Sequence, residues 1–97
     1  MARLPRVVVP GLPHHVTQRG FRRQQTFFGD DDSAEYRRLL SISCRTCETQ
    51  VLAYCLMPNH VHLILVPSTE SSLRDALGEA HRCYTRLINF REDWRGH

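Results

Sequence analysis

Two histidines in an apolar segment are the residues of this chain whose types and spacing best suit chemistry. His60 and His62 flank a single valine in a run of branched aliphatic residues, which favours a β-strand. On a strand, side chains two residues apart point to the same face, roughly 6.5–7 Å apart along the chain. Two imidazoles so placed can converge on one divalent cation, although a catalytic metal typically has three protein ligands. The alternative is a pair of surface histidines on an exposed sheet face.

The cysteines include a second pair with metal-ligand spacing, Cys44 and Cys47. A structural zinc site needs a further pair of cysteines or histidines at matching spacing, and the sequence has none. We therefore interpret all four cysteines as small, reduced apolar residues: Cys44, Cys47, Cys55 and Cys83.

The basic residues are all arginines, 13 of them against 10 acidic residues, for a net charge of +3. The planar guanidinium fork binds phosphate through two parallel hydrogen bonds, which favours a nucleic-acid partner. A genome with high GC content, which favours arginine codons, would produce the same bias. The candidates for DNA contact lie in a loop after the first predicted strand and on one face of the last predicted helix: Arg19, Arg22, Arg23, Arg82 and Arg86. The alternative interpretation is a solvated basic surface.

The rest of the sequence predicts the elements that position these residues. Strands are predicted over 14–19, 51–57 and 60–66, the last two joined as a hairpin at Pro58-Asn59. Apolar residues at helical spacing predict one helix before the second strand and another after the third. The order β-α-β-β-α predicts an α+β, ferredoxin-like fold with helices on one face of an antiparallel sheet, and with the usual closing strand missing.

The length of 97 residues, 41% of them hydrophobic, predicts a single domain over 1–97. Residues 1–13 hold three prolines and predict an irregular N-terminal arm. The sequence has no apolar run long enough to span a bilayer, and its N-terminal apolar stretch is too short for a secretion signal. We therefore expect no membrane partner and a cytoplasmic location.

The segment from Tyr54 to Leu65, YCLMPNHVHLIL, resembles the signature of the HUH single-tyrosine transposases. In the transposase IS200-like family, and its REP-associated tyrosine transposase branch, the run Met-Pro-Asn-His-Val-His is close to diagnostic. That run is complete here, from Met57 to His62. Residues 15–20 resemble the first strand of the family and residues 73–89 the helix after the HUH strand, so the resemblance extends from about residue 14 to residue 97.

The resemblance implies a DNA transposase that cleaves and rejoins single-stranded or hairpin DNA. In such enzymes two histidines, here His60 and His62, hold Mg²⁺ or Mn²⁺, which polarises the scissile phosphate. A tyrosine hydroxyl attacks the phosphorus and leaves a covalent 5′-phosphotyrosine and a free 3′-hydroxyl. The implied partners are DNA and, because family members are often dimers, a second copy of the chain.

The sequence departs from the family pattern at its C-terminal end. The family's nucleophilic tyrosine lies on a later helix near an Asn-Pro motif, so we expect this chain to be an incomplete transposase domain. Among its tyrosines, Tyr84 is the candidate nucleophile because it follows the histidine pair on a helix, although its apolar stripe also fits core packing. Enzymatic activity therefore stays open. The alternative is an inert fragment that binds DNA, and metal, without cutting.

Overall fold

The segments with strand-like or helix-like apolar patterns fold into three strands and two helices. The computed structural model describes residues 7–19 and 30–96, with the backbone alone at Arg19 and at 91–96. The predicted order β-α-β-β-α is confirmed by the following elements: β1 (His14–Arg19), α1 (Asp30–Thr46), β2 (Thr49–Met57), β3 (His60–Pro67) and α2 (Ser72–Gly96).

The strands form one antiparallel sheet in the order β1-β3-β2, so β3 is central. Met57 pairs with His60, which leaves Pro58 and Asn59 as a two-residue turn and confirms the predicted hairpin. A register shift between Val51 and Ala53 marks a β-bulge in β2. Because a bulge inserts one unpaired residue, it exchanges the two faces for every residue that follows it along the strand.

The core lies between the sheet and the two helices. Along β3, burial alternates, and its buried residues include Val61, Leu63 and Leu65. They form one cluster with residues of both helices, so both helices pack on the same face of the sheet. This confirms the predicted α+β architecture. The helical members of the cluster are Tyr36, Leu40, Cys44, Leu73, Ala76, Leu77, Ala80 and Tyr84.

The end of α1 and its link to β2 depend on an unusual backbone conformation. The amide of Glu48 donates to the carbonyl of Arg45 at 3.3 Å, and Glu48 has a φ of 52°. This left-handed conformation commonly terminates helices and favours glycine, because a Cβ atom is crowded there. The turn is therefore built at some cost in conformational energy.

Residues 7–13 form neither helix nor strand, but two hydrogen bonds hold them against the sheet. The amide of Gly11 donates to the carbonyl of Pro67 at 2.8 Å, and the amide of Val9 donates to the Nε2 atom of His14 at 3.0 Å. The first six residues of the predicted arm lie outside the described residues. Within the described ranges, no helix has the length and apolar character needed to cross a membrane.

Candidate functional site

The sheet face that points away from the helices carries both candidate metal ligands. Because cross-strand partners share a face, the pairings of β3 with β1 and β2 identify the neighbours of its two histidines. His60 lies between Arg19 and Met57, and His62 lies between Thr17 and Cys55. We call this surface the histidine face, defined by His15, Thr17, Cys55, Met57, His60 and His62.

The ring of His60 is oriented by the residue before it. Its Nδ1 atom lies 2.7 Å from Oδ1 of Asn59. An amide oxygen can only accept a hydrogen bond, so Nδ1 carries the proton and Nε2 keeps its lone pair. The turn that joins β2 to β3 therefore also presents the Nε2 atom of His60 as a potential ligand.

The ring of His62 is oriented from the neighbouring strand. Its Nδ1 atom lies 3.1 Å from Nε2 of His15 and 3.5 Å from the hydroxyl oxygen of Thr17. The rings of His15 and His62 are stacked, with centroids 5.3 Å apart and planes inclined by 15°. His62 thus has a hydrogen-bond partner on its Nδ1 side, as His60 has.

The rings of the two candidate ligands lie close together and nearly perpendicular. The centroids of His60 and His62 are 5.0 Å apart, and the ring planes are inclined by 83°. Within the described residues, no set of three histidine, cysteine, aspartate or glutamate side chains is arranged to hold a metal ion. A divalent cation held by these two histidines would take its other ligands from water or phosphate oxygens.

The bulge in β2 decides which side chains join the histidine face. After it, Cys55 and Met57 share this face, whereas Tyr54 and Leu56 pair with the core residues Leu63 and Val61. The sulfur atoms of Cys55 and Met57 are 3.7 Å apart. An exposed thiol and a thioether therefore border the histidine pair.

The candidate nucleophile lies on the other side of the sheet. Tyr84 is 5% exposed and belongs to the core cluster beneath β3. Its ring meets the ring of Tyr36 edge-on, with centroids 5.4 Å apart. Since the sheet separates this cluster from the histidine face, the structure does not bring Tyr84 together with His60 and His62.

A half-buried hydrogen bond between the helices engages the hydroxyl of a second tyrosine. The hydroxyl of Tyr36 donates to Nε2 of His81 at 2.6 Å, and the two rings stack. Burial lowers the pKa of His81 from 6.5 to about 4, so this imidazole is neutral near pH 7 and can accept the bond. Burial also raises the pKa of Tyr36, which keeps its hydroxyl protonated as the donor.

The third tyrosine is exposed but also lies on the helical side. Tyr54 pairs with the core residue Leu63 at the edge strand β2. Its hydroxyl lies 3.4 Å from the Arg37 guanidinium of α1. None of the three tyrosines of the chain therefore places its side chain on the histidine face.

The predicted DNA-binding arginines fall into three groups. Arg19 is opposite His60 in the β1–β3 register, at the edge of the histidine face. Arg22 and Arg23 lie outside the described residues. Arg82 and Arg86 lie on the exposed side of α2, away from the sheet, and Arg82 forms an ion pair with Glu79 that lowers the pKa of that carboxyl. The structure therefore does not bring the α2 arginines together with the histidine pair.

Two residues that orient the metal-ligand candidates were not singled out by the sequence as site residues. Asn59 was interpreted as a turn former and as part of the family motif, and His15 only as one residue of the first strand. The signal for Asn59 is its position directly before His60 in a tight turn. No local signal points to His15, because it is 47 residues from His62 and meets it only through the pairing of β1 with β3.

Comparison with known protein families identifies a related family. A family model described as "Transposase IS200 like" matches residues 8–96. No curated protein and no solved structure gives a significant match. The match covers every strand and both helices, including the whole histidine face.

Proposed function

Because this chain belongs to the transposase IS200-like family, we propose that its histidine face is where single-stranded or hairpin DNA meets a divalent cation, Mg²⁺ or Mn²⁺. The chain is a DNA transposase domain, and DNA is the partner that the family implies. The proposed activity is metal-dependent cleavage and rejoining of a DNA strand. His60 and His62 are the proposed ligands.

The observation that carries this proposal is the arrangement of the two imidazoles. Each has its Nδ1 atom engaged by a neighbour, and in the described part of the chain no hydrogen bond engages either Nε2 atom. Histidine ligands of metals commonly use one ring nitrogen for the metal and the other for an orienting hydrogen bond. Neither helix packs on this face, so, among the described residues, the helices leave it open to a nucleic acid.

The proposed activity needs a metal site and a contact to the DNA backbone, and different residues provide them. The chemistry that a divalent cation supplies at such a site is polarisation of a phosphate oxygen. His60 and His62 would hold the cation, and Arg19, whose backbone lies at the same edge of the sheet, is the proposed contact for the DNA backbone. In the strand-cleavage step a tyrosine hydroxyl loses its proton as its oxygen bonds to phosphorus, the bond from phosphorus to the 3′ oxygen breaks, and the released 3′ oxygen takes up a proton.

A second candidate function, DNA binding without cutting, is favoured by the positions of the tyrosines. Tyr36 and Tyr84 are buried between the sheet and the helices, and Tyr54 is at the edge beside α1. Tyr84 as the attacking residue stays a prediction, and it would require the side chain to leave the core. A chain that binds DNA through the histidine face needs no such movement.

A single set of gels separates the two functions. The full chain is incubated with Mn²⁺ and an end-labelled hairpin DNA that carries a single-stranded flank. Native gels report binding, and denaturing gels report a covalent link between DNA and protein. The informative variants are His60→Ala, which removes a proposed ligand, and Tyr84→Phe, which removes the candidate nucleophile. Ile64→Val, on the same strand and face, serves as the matched control.

Each outcome has a distinct meaning. A covalent band that is lost in His60→Ala establishes the nicking activity, and its further loss in Tyr84→Phe assigns the nucleophile. A Mn²⁺-dependent native shift without a covalent band, reduced in His60→Ala but not in Ile64→Val, establishes binding without cutting. DNA binding that is changed neither by Mn²⁺ nor by His60→Ala would contradict a metal site on the histidine face.

A further inference from the structure

We propose that His15 is a positioning residue, which selects the tautomer of His62 that can bind a metal through Nε2. The inference rests on the proposed function, because it concerns the same metal site. It assigns a role to a residue of β1 that contributes to the site only through the fold. The role is distinct from that of a ligand, since His15 acts through His62.

The geometry brings the two imidazoles into hydrogen-bond contact. Nε2 of His15 lies 3.1 Å from Nδ1 of His62, and the stacked rings limit rotation of either side chain. In the β1–β3 register, His15 pairs with Ile64 and Thr17 pairs with His62, so the two histidines are diagonal neighbours on one face. Two rigid strands therefore fix their separation.

A hydrogen bond between two neutral imidazoles contains one proton, and its position decides the chemistry of His62. If Nδ1 of His62 carries the proton and donates it to His15, then Nε2 of His62 has a free lone pair. If Nε2 of His15 is the donor, Nε2 of His62 carries a proton and cannot bind a metal. The proposed arrangement is the first, with His15 as acceptor and its own proton on Nδ1.

The neighbour of His62 on the same strand supports this arrangement. His60 also has its Nδ1 proton accepted by a partner, the Oδ1 atom of Asn59 at 2.7 Å. The two ligand candidates would then present the same ring nitrogen, each fixed by an acceptor from a different element. Thr17 offers an oxygen to Nδ1 of His62 at 3.5 Å, which is the longer of its two contacts.

The first test measures the tautomer without any metal. Long-range proton–nitrogen NMR correlations of the full chain, at a pH where the imidazoles are neutral, distinguish a proton on Nδ1 from a proton on Nε2. We expect His62 to carry it on Nδ1 in the unmodified chain and in His15→Gln, whose amide oxygen can accept. In His15→Phe, which keeps a ring but has no acceptor, we expect a shift toward the Nε2 tautomer. A wild-type His62 with its proton on Nε2 would overturn the proposal.

The second test measures metal affinity, with Mn²⁺ alone as the probe and free Mn²⁺ followed by electron paramagnetic resonance. Loss of an orienting partner typically weakens metal binding about 10- to 100-fold, so we expect His15→Phe to raise the Kd at least about tenfold. We expect His15→Gln to restore most of the affinity. Ile64→Val is the matched control: Ile64 pairs with His15 on the same face, and its side chain has no hydrogen bond to offer to either imidazole, so we expect a change of less than about threefold. His15 is exposed, so these variants should keep the fold, which thermal unfolding verifies.

The remaining outcomes separate this inference from the proposed function. An unchanged Kd in His15→Phe, with binding still lost in His60→Ala, refutes the role of His15 and leaves the metal site intact. Electron spin echo spectra count the nitrogens bound to Mn²⁺, and three in the wild type against two in His15→Phe would make His15 a ligand, contrary to the proposal. If the wild type binds no Mn²⁺, the proposed metal site fails, whereas the NMR result still decides the tautomer.

Discussion

The side chain of Asn59 connects the hairpin turn to the proposed metal site. Its amide oxygen accepts from Nδ1 of His60, so the residue that turns the chain also orients a ligand candidate. We expect Asn59→Leu to weaken Mn²⁺ binding about tenfold, because His60 loses the partner that fixes its ring. Isothermal titration calorimetry measures the change. Asn59→Asp keeps an acceptor at the same place and should bind at least as well as the wild type; a loss as large as that of Asn59→Leu would contradict the role of the oxygen.

The half-buried imidazole of His81 should make stability depend on pH. Its pKa is about 4 in the folded protein, against an ordinary value of 6.5. Between these values the unfolded chain binds a proton that the folded chain does not, so the stabilisation is complete above pH 6.5 and is lost as the pH falls toward 4. We expect a loss of about 2–3 kcal/mol in the free energy of unfolding over this window.

Urea unfolding at a series of pH values checks this expectation. His81→Gln is the matched variant, because glutamine can accept the hydrogen bond from Tyr36 but does not titrate. The difference between wild type and variant removes the contribution of the carboxylates. If that difference is the same at pH values near 4 and near 7, His81 is not the group responsible.

At the scale of elements, the turn after α1 offers a stabilising substitution. Glu48 has a φ of 52°, a conformation in which a side chain is crowded and glycine is not. We expect Glu48→Gly to raise the free energy of unfolding by about 0.5–1 kcal/mol, since relief of the crowding exceeds the added freedom of the unfolded chain. The midpoint of urea unfolding should increase, and a decrease would mean that the Glu48 side chain stabilises the turn.

In the interior of α2, replacement of a glycine should also stabilise the protein. Gly78 is exposed on this helix, and a Cβ atom placed there meets no other atom within 4 Å. Alanine has a higher helix propensity than glycine, so we expect Gly78→Ala to stabilise the fold by about 0.5–1 kcal/mol. The same urea titration measures it. A destabilisation would indicate that glycine is needed for close approach of a partner in solution.

Local patterns predicted the elements well because each pattern is a property of one segment. The period of two along β3 indicated that His60 and His62 share a face, and the observed alternation of burial confirms it. The segment 51–57 is apolar on both sides, so it gave no indication of which residues face the core. The bulge near Leu52 settles that question, and its position depends on pairing with β3 rather than on local sequence.

The residues that orient the two candidate ligands were harder to predict than the ligands themselves. Resemblance to a known motif indicated His60 and His62, but the partners that orient them come from different distances along the chain. Asn59 is adjacent to His60, whereas His15 reaches His62 only when β1 pairs with the centre of the sheet. The burial of Tyr84 was indicated by its apolar stripe, and its position opposite the histidine face follows from both helices packing on one side.

At the scale of the whole molecule, the outer strands of the sheet are suited to self-association. Leu52 and Tyr54 on β2 are 49% and 50% exposed, and unpaired edges of this kind tend to pair with another chain. We expect a dimer whose melting temperature rises with protein concentration, because association stabilises only the folded state. Leu52→Lys should reduce the concentration dependence, as a charge at an edge opposes pairing.

Phe90→Lys is the matched control for this prediction. Phe90 is also an exposed apolar residue, at 73%, but it lies on α2. Its replacement should leave the concentration dependence unchanged if the dimer forms through the sheet edge. An equal effect of the two variants, or a melting temperature that is independent of concentration, would contradict edge pairing through β2.

Along β3, residues that support the fold alternate with residues of the proposed metal site. Substitutions at neighbouring positions should therefore impair either folding or metal binding. Val61, Leu63 and Leu65 support the domain, whereas His60 and His62 face the opposite side. Every position of this strand can be substituted in a library that is scored for cellular abundance and for Mn²⁺ bound per molecule. We expect abundance to fall at the buried positions and Mn²⁺ binding to fall at the alternate positions, His60 and His62. A lineage could therefore lose His60 and His62 and still inherit a foldable domain, available for recruitment to another role.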